Sequence, residues 1–278
     1  MLARTPPDAQ RSPAQRSYGA GTLAVRAGPG GTNRLADLAQ SGCARLRLPR
    51  PPHGSTRPLE AVAINTSGGL TGGDRLAWNV RAEAGAAASL TSQGCERIYR
   101  SAGGSAEVSI ALDVEAGATL LWWPQETIVF DGGALARRLD AVVAPGATLL
   151  VVEAMLFGRA AMGERMERAD LRDAWNVRRP DGTLVHAERL RLRGAGDLEE
   201  PASTNGAHAV ATLLLVSPDA ESRLEDARAV LGPEGCVSCW GGRLLARIVA
   251  ENGYRLRRSL VPLAALLGGR DVPRGWGF

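Results

Sequence analysis

Between residues 105 and 114 every second position is apolar: Ala106, Val108, Ile110, Leu112 and Val114. A period of two places these side chains on one face of a pleated strand. Residues 120–130 and 147–157 are apolar almost throughout, which predicts strands covered on both faces. Three segments repeat one phrase: Arg81-Ala82-Glu83-Ala84-Gly85-Ala86, Val114-Glu115-Ala116-Gly117-Ala118-Thr119 and Val143-Ala144-Pro145-Gly146-Ala147-Thr148. Each sets a glycine turn between apolar runs, and Gly85, Gly117 and Gly146 stand 32 and 29 residues apart. A nearly fixed period with one turn per repeat predicts stacked supersecondary units.

Residues 21–193 hold about a dozen strand candidates and no long helical pattern. The expected fold is therefore mainly β, a β-helix-like stack of short strands over residues 18–204. A β-sandwich is the alternative, because hairpin arrays and repeat coils read alike in a single sequence. Beyond Gly194 the texture changes. Residues 207–216, 236–240 and 244–250 read as strands. Residues 218–231 read as a helix, with Pro218 near its start and Gly232 after its end. Residues 252–267 read as a second helix stopped by Gly268-Gly269. Residues 205–278 are thus a small α/β portion packed on the β part, while residues 1–17, rich in Pro, Arg and Gln, read as a loose tail.

Composition narrows the function. The chain has 278 residues, 45% hydrophobic and 22% charged, an ordinary globular balance. It contains no lysine: all 33 basic residues are arginine, and the formal charge is +4. A Walker P-loop and a Schiff-base mechanism both need a lysine and are excluded. No segment concentrates basic residues with aromatics, so no nucleic-acid partner is expected. The longest apolar stretch, residues 141–157, is broken by Pro145, Gly146 and Glu153, so no membrane span is expected. With no apolar signal region and only Cys43, Cys95, Cys236 and Cys239, the expected location is the cytoplasm. His53, His186 and His208 are not spaced as metal pairs, and Cys236-Val237-Ser238-Cys239 supplies at most two thiolates, so no stable metal site is expected.

Four motifs occur in order. They are Asn65-Thr66-Ser67-Gly68-Gly69-Leu70-Thr71-Gly72-Gly73-Asp74; Thr91-Ser92-Gln93-Gly94-Cys95-Glu96-Arg97-Ile98-Tyr99-Arg100-Ser101; Leu121-Trp122-Trp123-Pro124-Gln125-Glu126-Thr127-Ile128-Val129-Phe130; and Glu153-Ala154-Met155-Leu156-Phe157-Gly158-Arg159-Ala160-Ala161-Met162-Gly163-Glu164. Together with Ala187-Glu188-Arg189-Leu190 and the terminal Pro273-Arg274-Gly275-Trp276, this set resembles the urease accessory protein UreD (UreH) family from about residue 20 to the end. Thr66 stands where the family often has proline. Arg97 stands where lysine is common, and Cys95 where a small residue is usual.

The resemblance implies a non-enzymatic scaffold and nickel chaperone that binds apo-urease and a UreF-type accessory protein, with a UreG-type GTPase joining through the latter. It also implies passage of Ni(II) along an internal tunnel, with no cofactor permanently bound. Asp74, Glu126, Glu153 and Glu188 are the candidates for that path. A carboxylate among apolar neighbours is costly unless paired, hydrogen-bonded or hydrated. Each of the last three is therefore either an ion pair with one of the many arginines or part of a polar passage. Separated carboxylates and waters would bind Ni(II) weakly enough to release it. Asp74 is either a turn cap or a ligand on the path. Gly68, Gly69, Gly72 and Gly73 form a tight surface loop or one shaped for a partner. Arg100, beside Tyr99, clamps a partner's carboxylate or pairs internally with Glu96, Glu126 or Glu153. Arg159 and Glu164 belong to a strand-ending loop or a partner-binding edge. The rivals are a β-helical enzyme using Asp74, Glu126 and Glu153 as acid and base on a polar polymer, and a purely structural adaptor.

Overall fold

The computed structural model describes residues 15–50, 54–159 and 162–276. His53, residues 1–14 of the expected tail, and Ala160 and Ala161 of the fourth motif lie outside them. The chain opens with β1 (Tyr18–Ala27), β2 (Asn33–Gly42), β3 (Ala44–Arg47) and β4 (Leu59–Asn65). Three coils follow. The first holds β5 (Arg75–Ala82), β6 (Ala87–Ser92) and β7 (Glu96–Ile98); the second holds β8 (Ala106–Val114), β9 (Thr119–Trp122) and β10 (Thr127–Val129). The third holds β11 (Gly133–Val143) and β12 (Thr148–Phe157), after which β13 (Arg168–Arg178) and β14 (Leu184–Gly194) form a hairpin. The C-terminal part contains α1 (Ala195–Glu199), β15 (Ala209–Val216), α2 (Leu224–Leu231), β16 (Gly235–Trp240), β17 (Arg243–Ala250) and α3 (Gly253–Gly268).

The coils place β5, β8 and β11 in one sheet and β6, β9 and β12 in the sheet that faces it, so strands equivalent by repeat pair in parallel. One sheet runs β14-β13-β11-β8-β5-β1-β2; the other runs β16-β17-β15-β12-β9-β6-β4-β3, with β10 paired to β12 and β7. The architecture is the β-solenoid-like stack that the repeat predicted. The three repeat phrases are its stacked corners. Gly85, Gly117 and Gly146 all have positive φ (68°, 65° and 75°), and their amide neighbours close the same turn: Ala86 N–H to Glu83 O, Ala118 N–H to Glu115 O, Ala147 N–H to Ala144 O.

Register turns the alternation of the sequence into interior rows. Trp78, Ile110, Leu139 and Trp175 are successive partners across β5, β8, β11 and β13, and all are buried. The central strands β9, β12 and β15 of the second sheet are covered on both faces, which accounts for their continuous apolar runs. Leu120, Trp122, Leu149 and Val151 face the first sheet, whereas Leu121, Trp123, Leu150 and Val152 pack under the C-terminal helices. Among the described residues, the strands from 205 to 276 join the second sheet rather than build one of their own. β15 pairs antiparallel with β12, β17 and β16 extend the same sheet, and α2 and α3 lie over its outer face.

The last helix begins where the sequence places it, with the Asn252 side chain accepting from the Arg255 N–H, and Gly269 closes it in the left-handed region. The other C-terminal helix is shorter than expected. A 3-10 turn occupies Glu221–Arg223, and α2 starts at Leu224 rather than beside Pro218. Asp219 takes the Ser217 hydroxyl and Arg223 there, fixing a turn before the helix.

The corner glycines give a direct test. A Cβ at Gly117 would meet no atom within 4 Å, so only its positive φ opposes substitution. Gly117→Val is expected to lower stability by about 1–2 kcal/mol, and Gly117→Asn by clearly less, in urea unfolding curves.

Candidate functional site between the sheets

The alternation that fills the solenoid with apolar rows fails at one row. Leu76 of β5 pairs with Val108 of β8, Val108 with Arg137 of β11, and Arg137 with Asp173 of β13. Arg137 therefore points between the sheets from the apolar face of its own strand, flanked by Leu135 and Leu139. Asp173 does the same between Leu171 and Trp175. Across the gap stands Glu153, two residues after Val151 on the inner face of β12.

These three side chains form one network. The Arg137 guanidinium donates from Nε to Asp173 Oδ1 at 3.0 Å and from Nη2 to Oδ2 at 2.6 Å, a two-point grip. Its Nη1 donates to Glu153 Oε2 and lies 3.5 Å from Thr127 Oγ1. Each carboxylate also accepts from an indole: Trp122 Nε1 to Glu153 Oε1 at 2.8 Å, and Trp175 Nε1 to Asp173 Oδ2 at 3.2 Å. The three charged side chains are only 5%, 4% and 6% exposed. Burial dominates at Glu153 and leaves its carboxyl above the usual range despite Arg137. Burial opposes the charge on Arg137, but Asp173 and Glu153 more than restore it.

Two cavities meet at this network. The first, about 390 Å³, is walled by Trp78, Leu90, Ile110 and Trp122 and reaches Asn65, Gln93 and Glu96. The second, about 570 Å³, is bounded by Phe157, Asp173, Trp175, Glu188, Asp197 and Arg247. Arg137 and Glu153 line both.

The four carboxylates expected on a nickel path take different positions. Glu153 is the septum residue and Glu188 lines the second cavity, paired with Arg247. Burial alone would raise the Glu188 carboxyl; the charges and hydrogen bonds beside it outweigh burial and hold it low. His186 Nε2, 3.8 Å from Glu188 Oε2, is too far for a hydrogen bond. Glu126 is buried beside the first cavity and is clasped by Arg257 of α3 at 2.6 and 2.8 Å, which overcomes burial and lowers its carboxyl. The Cys95 thiol donates to it at 3.5 Å, and burial pushes that thiol up to about 11. Asp74 accepts from the Ser17 and Thr71 amides at 2.7 and 2.8 Å, capping the glycine loop. It lines neither inter-sheet cavity. Among the described residues no group of three or more His, Cys, Asp or Glu is placed to hold a metal ion.

The residues expected at a partner surface come together at one corner. The glycine loop folds onto the second motif: a Cβ on Gly69 would strike the Tyr99 ring at 2.3 Å, and one on Gly72 would strike Ser101 Oγ at 2.1 Å. Gly68 O accepts from the Tyr99 hydroxyl at 3.0 Å, and Gly73 N–H donates to Ser105 O. Tyr99 meets Phe130 edge to face at 5.0 Å, and Arg159 lies over the same Phe130 ring at 4.2 Å while pairing with Glu164. Arg100 pairs with Asp131, not with Glu96, Glu126 or Glu153, because it leaves the coil on the side where the turn after β10 passes.

Arg137, Asp173 and Arg257 were not singled out from the sequence. The signal for the first two was present, since a charged residue stands at an inward position of an otherwise alternating strand. Glu96, which the sequence offers as a pairing partner for Arg100, instead lines the first cavity with its carboxylate held by the Asn65 amide at 3.1 and 3.2 Å. Burial pushes it up to about 7, only partly offset by Asn65. Folded Glu96 keeps its proton to higher pH than the unfolded chain, so stability declines as pH rises from the unfolded carboxylate range to about 7. Glu96→Gln is expected to stabilise the protein at about pH 8 by at most about 3 kcal/mol, with the gain vanishing near pH 4.5, as read by urea unfolding at several pH values.

A family model described as UreD urease accessory protein matches residues 18–276. The chain is 49% identical over 272 residues to the urease accessory protein UreD of Mesorhizobium japonicum, covering 95% of both chains. It is 47% identical over 271 residues to that of Brucella suis, again covering 95% of both. To that of a Chelativorans species it is 48% identical over 275 residues, 98% of both. The match includes all three coils, the Arg137 row and the C-terminal helices, and the chain belongs to the UreD urease accessory protein family.

Proposed function

We propose that this chain is a non-enzymatic maturation factor acting in the cytoplasm, which binds apo-urease and a UreF-type protein and conducts Ni(II) between its two sheets toward the urease active site. A UreG-type GTPase, joined through the UreF-type protein, supplies the ion. Family membership across residues 18–276 carries this reading. Support for the conduit comes from the two cavities that meet at Glu153, the second of which also meets Glu188. Oxygen ligands that are separated and already paired with arginine bind a nickel ion weakly, which suits passage better than storage. The corner formed by Gly68, Gly69, Gly72, Gly73, Tyr99, Arg100, Arg159 and Glu164 serves as a partner-binding surface. An acid–base enzyme is less well supported, because Glu153 and Asp173 are buried and share one guanidinium rather than facing an open cleft.

The reading is tested in cells carrying a urease operon with and without this gene. Without it, urease is expected to accumulate but to lack nickel and activity. Glu153→Ala and Glu188→Ala separate conduit from adaptor. The conduit predicts nickel loading lowered about tenfold or more for the Glu153 and Glu188 variants with the urease complex still assembled. Full loading in those variants would leave only an adaptor.

A further inference from the structure

We propose that Arg137 is the gate of the conduit, closing the space between the two cavities at rest and releasing Glu153, while keeping Asp173, when a divalent cation passes. The proposal rests on the conduit reading above and adds the element that controls it. Arg137 and Glu153 are the two residues common to the linings of both cavities, so whatever crosses from one to the other meets this pair. A guanidinium is charged at every relevant pH and cannot be neutralised by giving up its proton. A fixed guanidinium at the septum repels a cation, so passage requires it to move.

The geometry states which contact yields. Asp173 is held by two nitrogens of Arg137, at 3.0 and 2.6 Å, whereas Glu153 is held by Nη1 alone. Rotation about the Asp173 fork breaks the single contact and preserves the double one. Glu153 is not stranded by that motion. Its Oε1 keeps the Trp122 indole N–H at 2.8 Å, and Oε2 is freed on a side chain that lines both cavities. An arriving divalent cation drives the change from both sides, attracting Glu153 Oε2 and repelling the guanidinium. Once the cation leaves, the single contact re-forms and closes the septum. Glu188, a further carboxylate on the lining of the second cavity, is itself covered by Arg247.

The test uses the urease operon with Arg137→Met, reading the nickel in urease and the nickel that stays on the accessory chain in complexes isolated without chelator. Without the guanidinium, Glu153 and Asp173 face each other with no cation between them. The gate predicts that Arg137→Met retains a stoichiometric nickel ion that the unaltered chain does not, and that urease loading falls about tenfold or more. Adding Glu153→Gln and Asp173→Asn is expected to abolish the retained nickel. An assembled Arg137→Met complex with no retained nickel and normally loaded urease overturns the gate. Should Arg137→Met fail to accumulate, the triple variant Arg137→Met, Glu153→Gln, Asp173→Asn removes every unpaired buried charge. In it the gate predicts loading down about tenfold with assembly intact, and normal loading overturns the gate. In cells where deleting the gene still abolishes loading, a normally loaded Arg137→Met complex without retained nickel refutes the gate and leaves the conduit, whereas a normally loaded triple variant refutes gate and conduit together and leaves the maturation role standing. Normal loading after deletion refutes the maturation role itself.

Discussion

A guanidinium enclosed between two β-sheets must have carboxylates within hydrogen-bond reach, because an uncompensated buried charge costs more than a small domain can spare. Arg137 meets this condition with Asp173 beside it on the next strand and Glu153 across the gap. The condition propagates outward. It fixes the register of β11 against β13, since a slip of either strand by one residue would send its charged side chain to solvent and leave the other buried without it. It orients Trp122 and Trp175, whose indole N–H groups supply the remaining donors. It also keeps the sheets from collapsing into contact at that level, with a cavity on either side. Removing one partner of such a network typically destabilises by about 3–5 kcal/mol, whereas replacing all of it by neutral groups of similar shape is often tolerated.

The rest of the solenoid supplies rigidity around this polar layer. The corner turns repeat because each coil must reverse direction in the same few residues, and glycine accepts the positive φ that the reversal demands. Strands of the second sheet are buried on both faces because α2 and α3 cover them. Arg257, carried on α3, reaches back to Glu126 and ties the C-terminal layer to the corner that holds Cys95 and the second motif. The inter-sheet network and the corner of the second motif are thereby tied to the same C-terminal layer. In the proposed mechanism only a side chain has to move.

Local pattern carried most of the fold into the sequence. The alternation in residues 105–114, the continuous apolar runs and the three glycine phrases are near-neighbour signals that the stacked coils preserve. The Asn252 cap and the Gly268-Gly269 stop are likewise local, and α3 begins and ends by them. The start of α2 was misread because Pro218 signals a turn as readily as a helix start, and the Asp219 hydrogen bonds that decide between them reach Ser217 and Arg223. Glu153 was legible as a carboxylate in an apolar strand, whereas the signal of its partner, at an inward position between Leu135 and Leu139, is masked by its neighbour. Arg137 precedes Arg138, which is exposed and paired with Asp140, so the two read together as surface charge. Only the register with Leu135, Leu139 and Asp173 separates them. The Glu126–Arg257 pair spans 131 residues and has no local signature.

The central claim is that the inter-sheet space is a path for the ion and that Glu153 stands where its two cavities meet. Anomalous scattering at the nickel edge, recorded from crystals of this chain assembled with apo-urease and its accessory partners and supplied with nickel, tests it directly. The account predicts a nickel peak between the sheets at Glu153 Oε2, with Arg137 turned toward Asp173. Nickel found only on the outer surface of this chain, in an assembly that still loads urease, would contradict it.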